Sequence, residues 1–320
     1  MAAVAQFLSA LFGAAVRARN RLYDSGTLPR RTLRGPVVSV GNLSVGGTGK
    51  TPFVILLGEL LRARGIRFDV LSRGYHRQRR GVALVEPGGV PRDFGDEPLL
   101  IARRLGAPVV IGEDRYQAGR FAEQRFGPQL HLLDDGFQHR QLAREFDIVL
   151  VTPEDARDRL LPAGRLREPL TALRRADAVV LMSGADPAQF PLANKTAWRV
   201  RRGILPPLQI PERPLAFCGI ARPQTFLLQL RKAGIEPVAE ATFPDHYAYT
   251  EKDVRDLLFL RQQSGAGGFV ITEKDAVNLG GYLSALEPLA VVPVKLDWPE
   301  APRALDVILD TLGRRGKPAA

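Results

Sequence analysis

Short β-branched runs alternate with longer amphipathic stretches along most of the chain after residue 30. The short runs predict buried strands, and the longer stretches have the apolar spacing of helices. Predicted strands cover Val37–Val40, Phe68–Ser72, Pro108–Ile111, Gln129–Leu133, Asp147–Val151 and Ala178–Met182. Predicted helices cover Phe53–Arg64, Pro98–Leu105 and Tyr116–Phe126. This alternation predicts an α/β fold, with a mostly parallel sheet and helices on both of its faces.

The alternation breaks around residues 187–211, where proline, asparagine and glutamine surround a short predicted strand, Trp198–Arg202. Such a stretch is typical of a linker or a hairpin. A smaller α/β series follows, with predicted strands Leu215–Gly219, Gly268–Thr272 and Ala290–Val294 and predicted helices Pro223–Ala233 and Glu251–Gln263. We therefore expect an N-terminal helix in residues 1–28, a larger α/β domain over 29–195, a linker or hairpin over 196–212 and a smaller α/β domain over 213–320. Residues 313–320 are expected to be frayed.

The N-terminal segment is uncharged and mostly apolar from Met1 to Val16, and three arginines follow by residue 21. It is short for a membrane span, which needs about 20 apolar residues, and it lacks the positive start of a secretory signal. A membrane-interfacial helix fits better. Its apolar side would carry Phe7, Leu8, Leu11 and Phe12. The alternative is a helix packed on the protein's own core.

The most specific signal in the chain is VVSVGNLSVGGTGKTP at residues 37–52. An apolar strand enters a glycine-rich turn, and a predicted helix follows, which is the context of a P-loop. Glycines let backbone N–H groups converge on phosphate oxygens, Lys50 would reach the β- and γ-phosphates, and the Thr51 hydroxyl would join the Mg²⁺ shell. The expected nucleotide-binding residues are Ser44, Val45, Gly46, Gly47, Thr48, Gly49, Lys50 and Thr51. Ser44 stands where the usual pattern has its first glycine, and a purely structural turn is the alternative.

The formal net charge is +11, and arginine far outnumbers lysine. This balance favours acidic partners such as anionic lipid or a phosphorylated substrate, although a biased genomic base composition gives the same excess. No nucleic-acid-binding motif is found in the sequence, so nucleic acid is not an expected partner. The single cysteine, Cys218, excludes internal disulfides and fits a reducing, cytoplasmic setting.

Two acids follow the predicted strand near residue 130, in the place where P-loop proteins carry the aspartate that holds Mg²⁺. Asp134 and Asp135 would project from the strand's C-terminal end, where α/β sheets place their sites. His139 follows them and would position a phosphate or a metal-bound water, or else be an ordinary loop histidine. Asp96 precedes a predicted helix, where an N-cap is the simpler interpretation. His246 lies in a polar turn and would serve as a base or orient one, although a lone loop histidine usually has no such role.

Taken together, these segments resemble the tetraacyldisaccharide 4′-kinase family, the lipid A 4′-kinases of Gram-negative bacteria. The resemblance rests on the extended P-loop at 38–52 and on LSRGY (71–75), GDEP (95–98), EDR (113–115), LDDGFQH (133–139), PAGRLREP (162–169), FCGIARP (217–223), FPDH (243–246) and TEKDAV (272–277). These blocks occur in the family's order over nearly the whole chain.

The resemblance implies a P-loop kinase domain over residues 29–195, with ATP and Mg²⁺ as cofactors. It implies ATP-dependent phosphorylation of the 4′-hydroxyl of a tetraacylated glucosamine disaccharide 1-phosphate, an acylated lipid, to give lipid IVA. The implied location is the cytoplasmic face of the bacterial inner membrane, as a peripheral or monotopic protein.

The residue roles that the resemblance implies fall into three groups. Phosphate and metal binding would involve Lys50, Thr51, Asp134 and Glu168, with Asp135 and His139 close by. Asp96, paired with His246, would accept the hydroxyl proton. Arg115 and Arg167 would neutralise charge on the γ-phosphoryl group or the lipid phosphate. Because Asp96 and His246 lie in different predicted domains, we expect the second domain to close over the first.

Two other readings remain open at this stage. A P-loop ATPase or GTPase acting as a switch or metallochaperone would carry a lysine before the glycine pair, where this chain has Val45. A basic nucleic-acid- or membrane-binding module with a vestigial P-loop is opposed by the intact Lys50, Thr51 and Asp134.

Overall fold

Strands and helices alternate along residues 2–315, the part of the chain that the computed structural model describes. The strands are β1 (Val37–Asn42), β2 (Phe68–Ser72), β3 (Ala83–Leu84), β4 (Val109–Ile111), β5 (Leu130–Asp134), β6 (Phe146–Val151), β7 (Ala178–Met182), β8 (Thr196–Ile204), β9 (Leu215–Cys218), β10 (Ala239–Thr242), β11 (Phe269–Thr272), β12 (Leu289–Val292) and β13 (Val294–Asp297). The helices are α1 (Ala2–Asp24), α2 (Lys50–Ala63), α3 (Pro91–Phe94), α4 (Asp96–Leu105), α5 (Arg115–Phe126), α6 (Pro223–Lys232), α7 (Glu251–Ser264), α8 (Glu273–Leu279) and α9 (Ala301–Arg315).

The strands form two sheets. The larger has the order β13-β8-β7-β6-β1-β5-β2-β4-β3, and the smaller has the order β10-β9-β11-β12. In the larger sheet only the pairs β13–β8 and β3–β4, at its two edges, are antiparallel. The smaller sheet is parallel throughout. The predicted α/β fold with a mostly parallel sheet is therefore confirmed.

Apolar side chains cover both faces of the larger sheet, which is why its central strands read as continuous β-branched runs. On one face, Phe53 and Leu57 of α2 are fully buried, and Phe53 lies 5.1 Å from Trp298 between ring centroids. On the other face, Val37 and Leu133 pack with Ala118 of α5. The helices on both faces that the sequence predicts are present.

The strand β8 corrects the interpretation of residues 196–204 as linker or hairpin. This strand lies between β7 and β13 in the larger sheet. Trp198 and Val200 are buried, while the arginines that alternate with them are exposed. The proline, asparagine and glutamine residues that suggested a linker flank this strand, and its own exposed side chains include arginines.

The predicted strand Ala290–Val294 is wrong as a single element. β12 ends at Val292 and pairs with β11 in the smaller sheet, whereas β13 begins at Val294 and pairs with β8 in the larger one. Pro293 separates them and has no N–H to donate to a ladder. The chain thus enters the smaller sheet after β8 and returns to the larger sheet at β13, and α9 then packs on the larger core.

The expected four-part division into domains stays a prediction, because sheet membership alone does not define folding units. Residues 313–320 were expected to be frayed. Residues 313–315 belong to α9, and residues 316–320 lie outside the described part of the chain.

The helix α1 contacts the rest of the molecule through its polar side. The Ser9 hydroxyl donates to the Leu160 carbonyl oxygen over 2.7 Å, and Arg140 binds the Asp24 carboxylate over 2.6 Å. A row of apolar side chains stays largely exposed: Val4, Phe7, Leu8 and Leu11. Within residues 2–315, no helix combines the length and apolar character that crossing a membrane requires.

Candidate active site

The glycine-rich loop after β1 has the backbone shape that phosphate binding requires. Gly46 and Gly49 have φ angles of 96° and 93°, in the left-handed region that favours glycine. Gly49 occupies the N-cap position of α2, so the loop ends at a helix N-terminus. Such an end presents unpaired N–H groups and a positive dipole end to an anion.

The turn at residues 165–167 lies directly against this loop. The N–H of Val45 donates to the Arg165 carbonyl oxygen over 2.8 Å, and the N–H of Arg167 donates to the Leu43 carbonyl oxygen over 2.6 Å. Ser44 and Leu166 form an antiparallel bridge between these two bonds. The backbone of the segment PAGRLREP (162–169) is therefore paired with the P-loop.

The side chain of Asn42 connects the parts of the loop. Its Nδ2 donates to the Ser44 carbonyl oxygen over 2.7 Å and to the Thr48 hydroxyl over 2.9 Å. Its Oδ1 accepts from Lys50 Nζ over 3.1 Å and from the Arg167 guanidinium. Because Asn42 is fully buried, these bonds connect the loop with both cations and position Lys50 and Arg167 beside it before nucleotide binds.

The two acids after β5 have opposite electrostatic surroundings. Burial, together with the charges of Glu97 and Asp135, raises the pKa of Asp134 to about 7. Burial opposes ionisation of Asp135 as well, but Lys50 and Arg167 hold the pKa of that carboxyl far below its usual range. Arg167 binds Asp135 with two hydrogen bonds of 2.8 and 2.9 Å, and Lys50 Nζ lies 3.5 Å from it.

Asp134 has the chemistry of a magnesium ligand, and Thr51 lines the same cavity as Asp134. Asp134 accepts a hydrogen bond from Ser72 on Oδ2 over 2.9 Å, while its buried Oδ1 has no hydrogen-bond partner in the described residues. Mg²⁺ in phosphate-transfer sites takes one or two protein oxygens, nucleotide phosphates and waters. Within residues 2–315, no group of three or more His, Cys, Asp or Glu residues is arranged to hold a metal ion.

Asp96 and His246 form an acid–imidazole pair. Both carboxylate oxygens of Asp96 are 2.9 Å from Nδ1 of His246. The N-cap interpretation of Asp96 is wrong, because Gly95 occupies the cap position and Asp96 is the first residue of α4. Burial by itself would raise the pKa of Asp96, but the hydrogen bond from His246 and the charge of Lys274 lower it to about 2. Burial also opposes the charge on His246, yet the contact with Asp96 raises its pKa.

The helix α8 contributes two polar side chains that sequence reasoning missed. Asn278 Nδ2 donates to Asp96 Oδ2 over 3.3 Å. Lys274 Nζ lies 3.6 Å from the same oxygen and 2.8 Å from Oδ1 of Asp245. The sequence signal for Lys274 is the TEKDAV block at 272–277, which by itself indicates only the family resemblance and no role for the lysine.

One cavity of about 830 Å³ joins the loop to this pair. Its lining includes the whole loop from Ser44 to Thr51 together with Asp96, Asp134, Asp135, Arg167, His246 and Lys274. The larger sheet supplies the phosphate-binding side, and the region around the smaller sheet supplies His246 and Lys274. This arrangement has the parts needed to move a phosphoryl group to a hydroxyl: an anion site, cations and a proton acceptor.

Three predicted site residues do not line this cavity. Glu168 is buried, and its carboxylate binds Arg175 over 2.9 and 3.1 Å and accepts from Asn20 over 2.7 Å. Arg115 is buried and donates to the Glu113 carbonyl oxygen over 2.8 Å. Burial, with the charges of Arg115 and Arg144, lowers the pKa of His139 to about 4, so this imidazole is neutral near pH 7. The roles expected of these three residues stay predictions.

Comparison with known proteins gives one consistent result. The family model LpxK, described as tetraacyldisaccharide-1-P 4′-kinase, matches residues 1–313. The tetraacyldisaccharide 4′-kinase of Koribacter versatilis is 53% identical over 317 residues, which cover 96% of this chain and 98% of that protein. The enzyme of the same name from Aquifex aeolicus is 40% identical over 291 residues, covering 86% and 89%. A crystal structure of LpxK from Aquifex aeolicus, in complex with ATP, matches with a TM-score of 0.79 and 36% identity, over 95% of this chain and 97% of that one.

Proposed function

Because the chain belongs to the tetraacyldisaccharide-1-P 4′-kinase family, it is a kinase, and we propose the specific reaction that it catalyses. It transfers the γ-phosphoryl group of ATP to the 4′-hydroxyl of a tetraacyl glucosamine disaccharide 1-phosphate and gives lipid IVA. The observation that carries the proposal is that the P-loop and the Asp96–His246 pair line one cavity.

In this reaction the P-loop binds the phosphates of ATP. Its N–H groups and Lys50 contact the β- and γ-phosphates, for which Lys50 leaves its contacts with Asn42 and Asp135. Thr51 and Asp134 would hold Mg²⁺, which would supply positive charge beside the phosphate oxygens. Arg167 stays beside the transferring group because Asp135 binds both of its Nη atoms, and its charge stabilises the loose transition state.

The Asp96–His246 pair accepts the proton of the 4′-hydroxyl. A carboxylate with a low pKa is a weak base, but a hydroxyl becomes strongly acidic as its oxygen bonds to phosphorus. Proton transfer to Asp96 therefore occurs late, when the oxygen–phosphorus bond has begun to form. His246 orients the carboxylate, because its Nδ1 is within hydrogen-bond distance of both oxygens.

The acyl chains of the substrate give a role to the exposed apolar row of α1. A helix of this kind rests in the interface of a bilayer with its apolar side among the acyl chains. Val4, Phe7, Leu8 and Leu11 would form that side. We therefore place the protein on the cytoplasmic face of the inner membrane, where it takes its lipid substrate from the membrane surface.

The decisive experiment is a phosphate-transfer assay with γ-labelled Mg²⁺-ATP and tetraacyldisaccharide 1-phosphate in mixed micelles. We expect label to move to the lipid and to be lost in Lys50→Ala. The matched control is Lys252→Met, an exposed lysine on α7, which should retain transfer. Label released only to water, with or without lipid, would contradict the proposal and support a P-loop ATPase.

A further inference from the structure

Lys274 occupies an unusual position for a lysine, because its ammonium is enclosed by the groups of the acid–imidazole pair. Only 16% of its side chain is exposed. Nζ lies 2.8 Å from Oδ1 of Asp245, 3.6 Å from Oδ2 of Asp96 and 3.4 Å from Nε2 of His246. Two carboxylates keep the ammonium charged in this partly buried place.

These contacts determine how the imidazole is protonated. An ammonium has three donors and no acceptor, so a hydrogen bond between Lys274 and His246 needs a lone pair on Nε2. The other ring nitrogen, Nδ1, faces the two carboxylate oxygens of Asp96 and must carry a proton to bind them. A second proton on Nε2 would point at a positive charge only 3.4 Å away.

We propose that Lys274 is a positioning residue of the phosphoryl-transfer centre, which fixes His246 as the Nδ1–H tautomer and opposes its conversion to imidazolium. This inference rests on the proposed function, since it assigns a purpose to the pair that accepts the hydroxyl proton. By opposing a second proton on His246, Lys274 prevents an imidazolium from further lowering the basicity of Asp96, the carboxylate that takes up the proton from substrate.

Other charged and aromatic groups also surround His246, and their effects must be separated from that of Lys274. Asp245 favours the imidazolium from the same side, with Oδ2 at 3.7 Å from Nε2. Glu97 follows Asp96 on α4, and Glu273 precedes Lys274 on α8 but is bound to Arg104 over 2.5 Å. The rings of Tyr75 and His76 lie 5.6 and 5.5 Å from the imidazole centroid. Among these described neighbours, Lys274 is the cation whose charged atom contacts the His246 imidazole.

The first test measures the pKa of His246 by NMR titration of its ring protons in the full-length protein without lipid. The chain has four histidines, and the signal lost in His246→Gln identifies the relevant one. In Lys274→Met the pKa of His246 should rise by about one pH unit, because an opposing charge is removed. In Asp245→Asn it should fall, and Lys274→Arg should leave it near the wild-type value.

Kinetics then connect this titration with turnover. The acidic limb of the pH profile of kcat/KM should move to higher pH in Lys274→Met, with an unchanged KM for Mg²⁺-ATP, while Lys252→Met should reproduce the wild-type profile. An unchanged His246 pKa in Lys274→Met would overturn the inference. So would a raised KM for Mg²⁺-ATP with an unmoved pH profile, which would make Lys274 a phosphate ligand.

The two readouts separate this inference from the proposed function. The NMR titration needs no lipid substrate, so a protein that phosphorylates no lipid can still show the expected shift. If Lys274→Met loses its cooperative thermal transition, Lys274→Gln is titrated in its place, and an unchanged His246 pKa in that variant overturns the inference.

Discussion

The protein contains two carboxylate–imidazole pairs with nearly the same geometry in different surroundings. Asp96 and His246 meet at the cavity with distances of 2.9 Å to Nδ1. Asp69 and His131 are register partners on β2 and β5, with distances of 3.0 and 2.9 Å. Both members of the second pair are fully buried. The pair by itself therefore does not mark a reaction centre.

The difference lies at the second ring nitrogen. Nε2 of His131 is 3.5 Å from a carboxylate oxygen of Glu123, whereas Nε2 of His246 is 3.4 Å from the ammonium of Lys274. Burial alone would lower the pKa of His131, but Asp69 and Glu123 raise it. In the core, two carboxylates favour the charged form of the His131 imidazole. An imidazole between a carboxylate and an ammonium, beside an open cavity, is able to exchange a proton.

The largest effect is expected from breaking the cavity pair. Asp96→Asn removes the proton acceptor and should lower kcat for lipid phosphorylation by about 10²–10⁴-fold. Its affinity for ATP should stay close to that of the wild type, because the P-loop is untouched. Turnover is measured by label transfer and affinity by equilibrium binding of nucleotide. The control is Asp93→Asn, an exposed acid on the neighbouring helix α3, and equal kcat in the two variants would contradict the assignment.

The buried pair should respond in the opposite way. His131→Phe leaves the carboxylates of Asp69 and Glu123 in the core without their shared cation, which should cost about 3–5 kcal/mol in the free energy of unfolding. Turnover per folded molecule should stay unchanged. Urea denaturation measures the first quantity, and active-site-normalised kinetics measures the second. A loss of less than about 1 kcal/mol would mean that the buried pair does not behave as a structural ion cluster.

A smaller effect should appear in the dependence of stability on pH. Because the pKa of His131 is raised in the folded protein, the native state holds a proton that the unfolded chain releases above about pH 6.5. The stabilisation is complete below that pH and declines as pH rises through the folded pKa, by at most about 1.4 kcal/mol per pH unit. Free energies of unfolding between pH 6 and 9 should show this decline in the wild type. His131→Phe, compared over the same range, should flatten the curve, and an identical slope would contradict the sign.

Local signals made the first half of the fold predictable from sequence. The strands β2 and β7 have the predicted bounds, and β1, β4, β5 and β6 differ from theirs by two residues at most. Each is a short, mostly apolar run, so its own residues specify it. β8 was predicted only as a short strand, Trp198–Arg202, within a linker or hairpin, and β13 was joined to β12. The pairing of β8 with β13 joins residues about 90 positions apart, as between Ile204 and Val294. Nothing in either segment alone indicates its partner.

The site was predictable to the extent that its chemistry lies in contiguous motifs. The P-loop and the acids after β5 could be found from spacing and residue type. Asp96 and His246 are 150 residues apart, and only the family resemblance paired them. Asp69 and His131 gave no signal, because an acid and a histidine inside apolar strands look like isolated polar residues until the strands are paired. Lys274 was overlooked for the same reason, since its role depends on groups from other segments.

The return of the chain to the larger sheet has a consequence for synthesis on the ribosome. β8 pairs with β7 on one side, but its other side stays open until β13 and α9, the last described elements, have been made. At about 5–20 residues per second, roughly 110 further residues keep that edge unpaired for ~5–20 s. An unpaired strand edge is a template for pairing with other chains. The nascent protein should therefore depend most on chaperones during that interval, while the strands of the smaller sheet are being made and the larger sheet still lacks its edge strand.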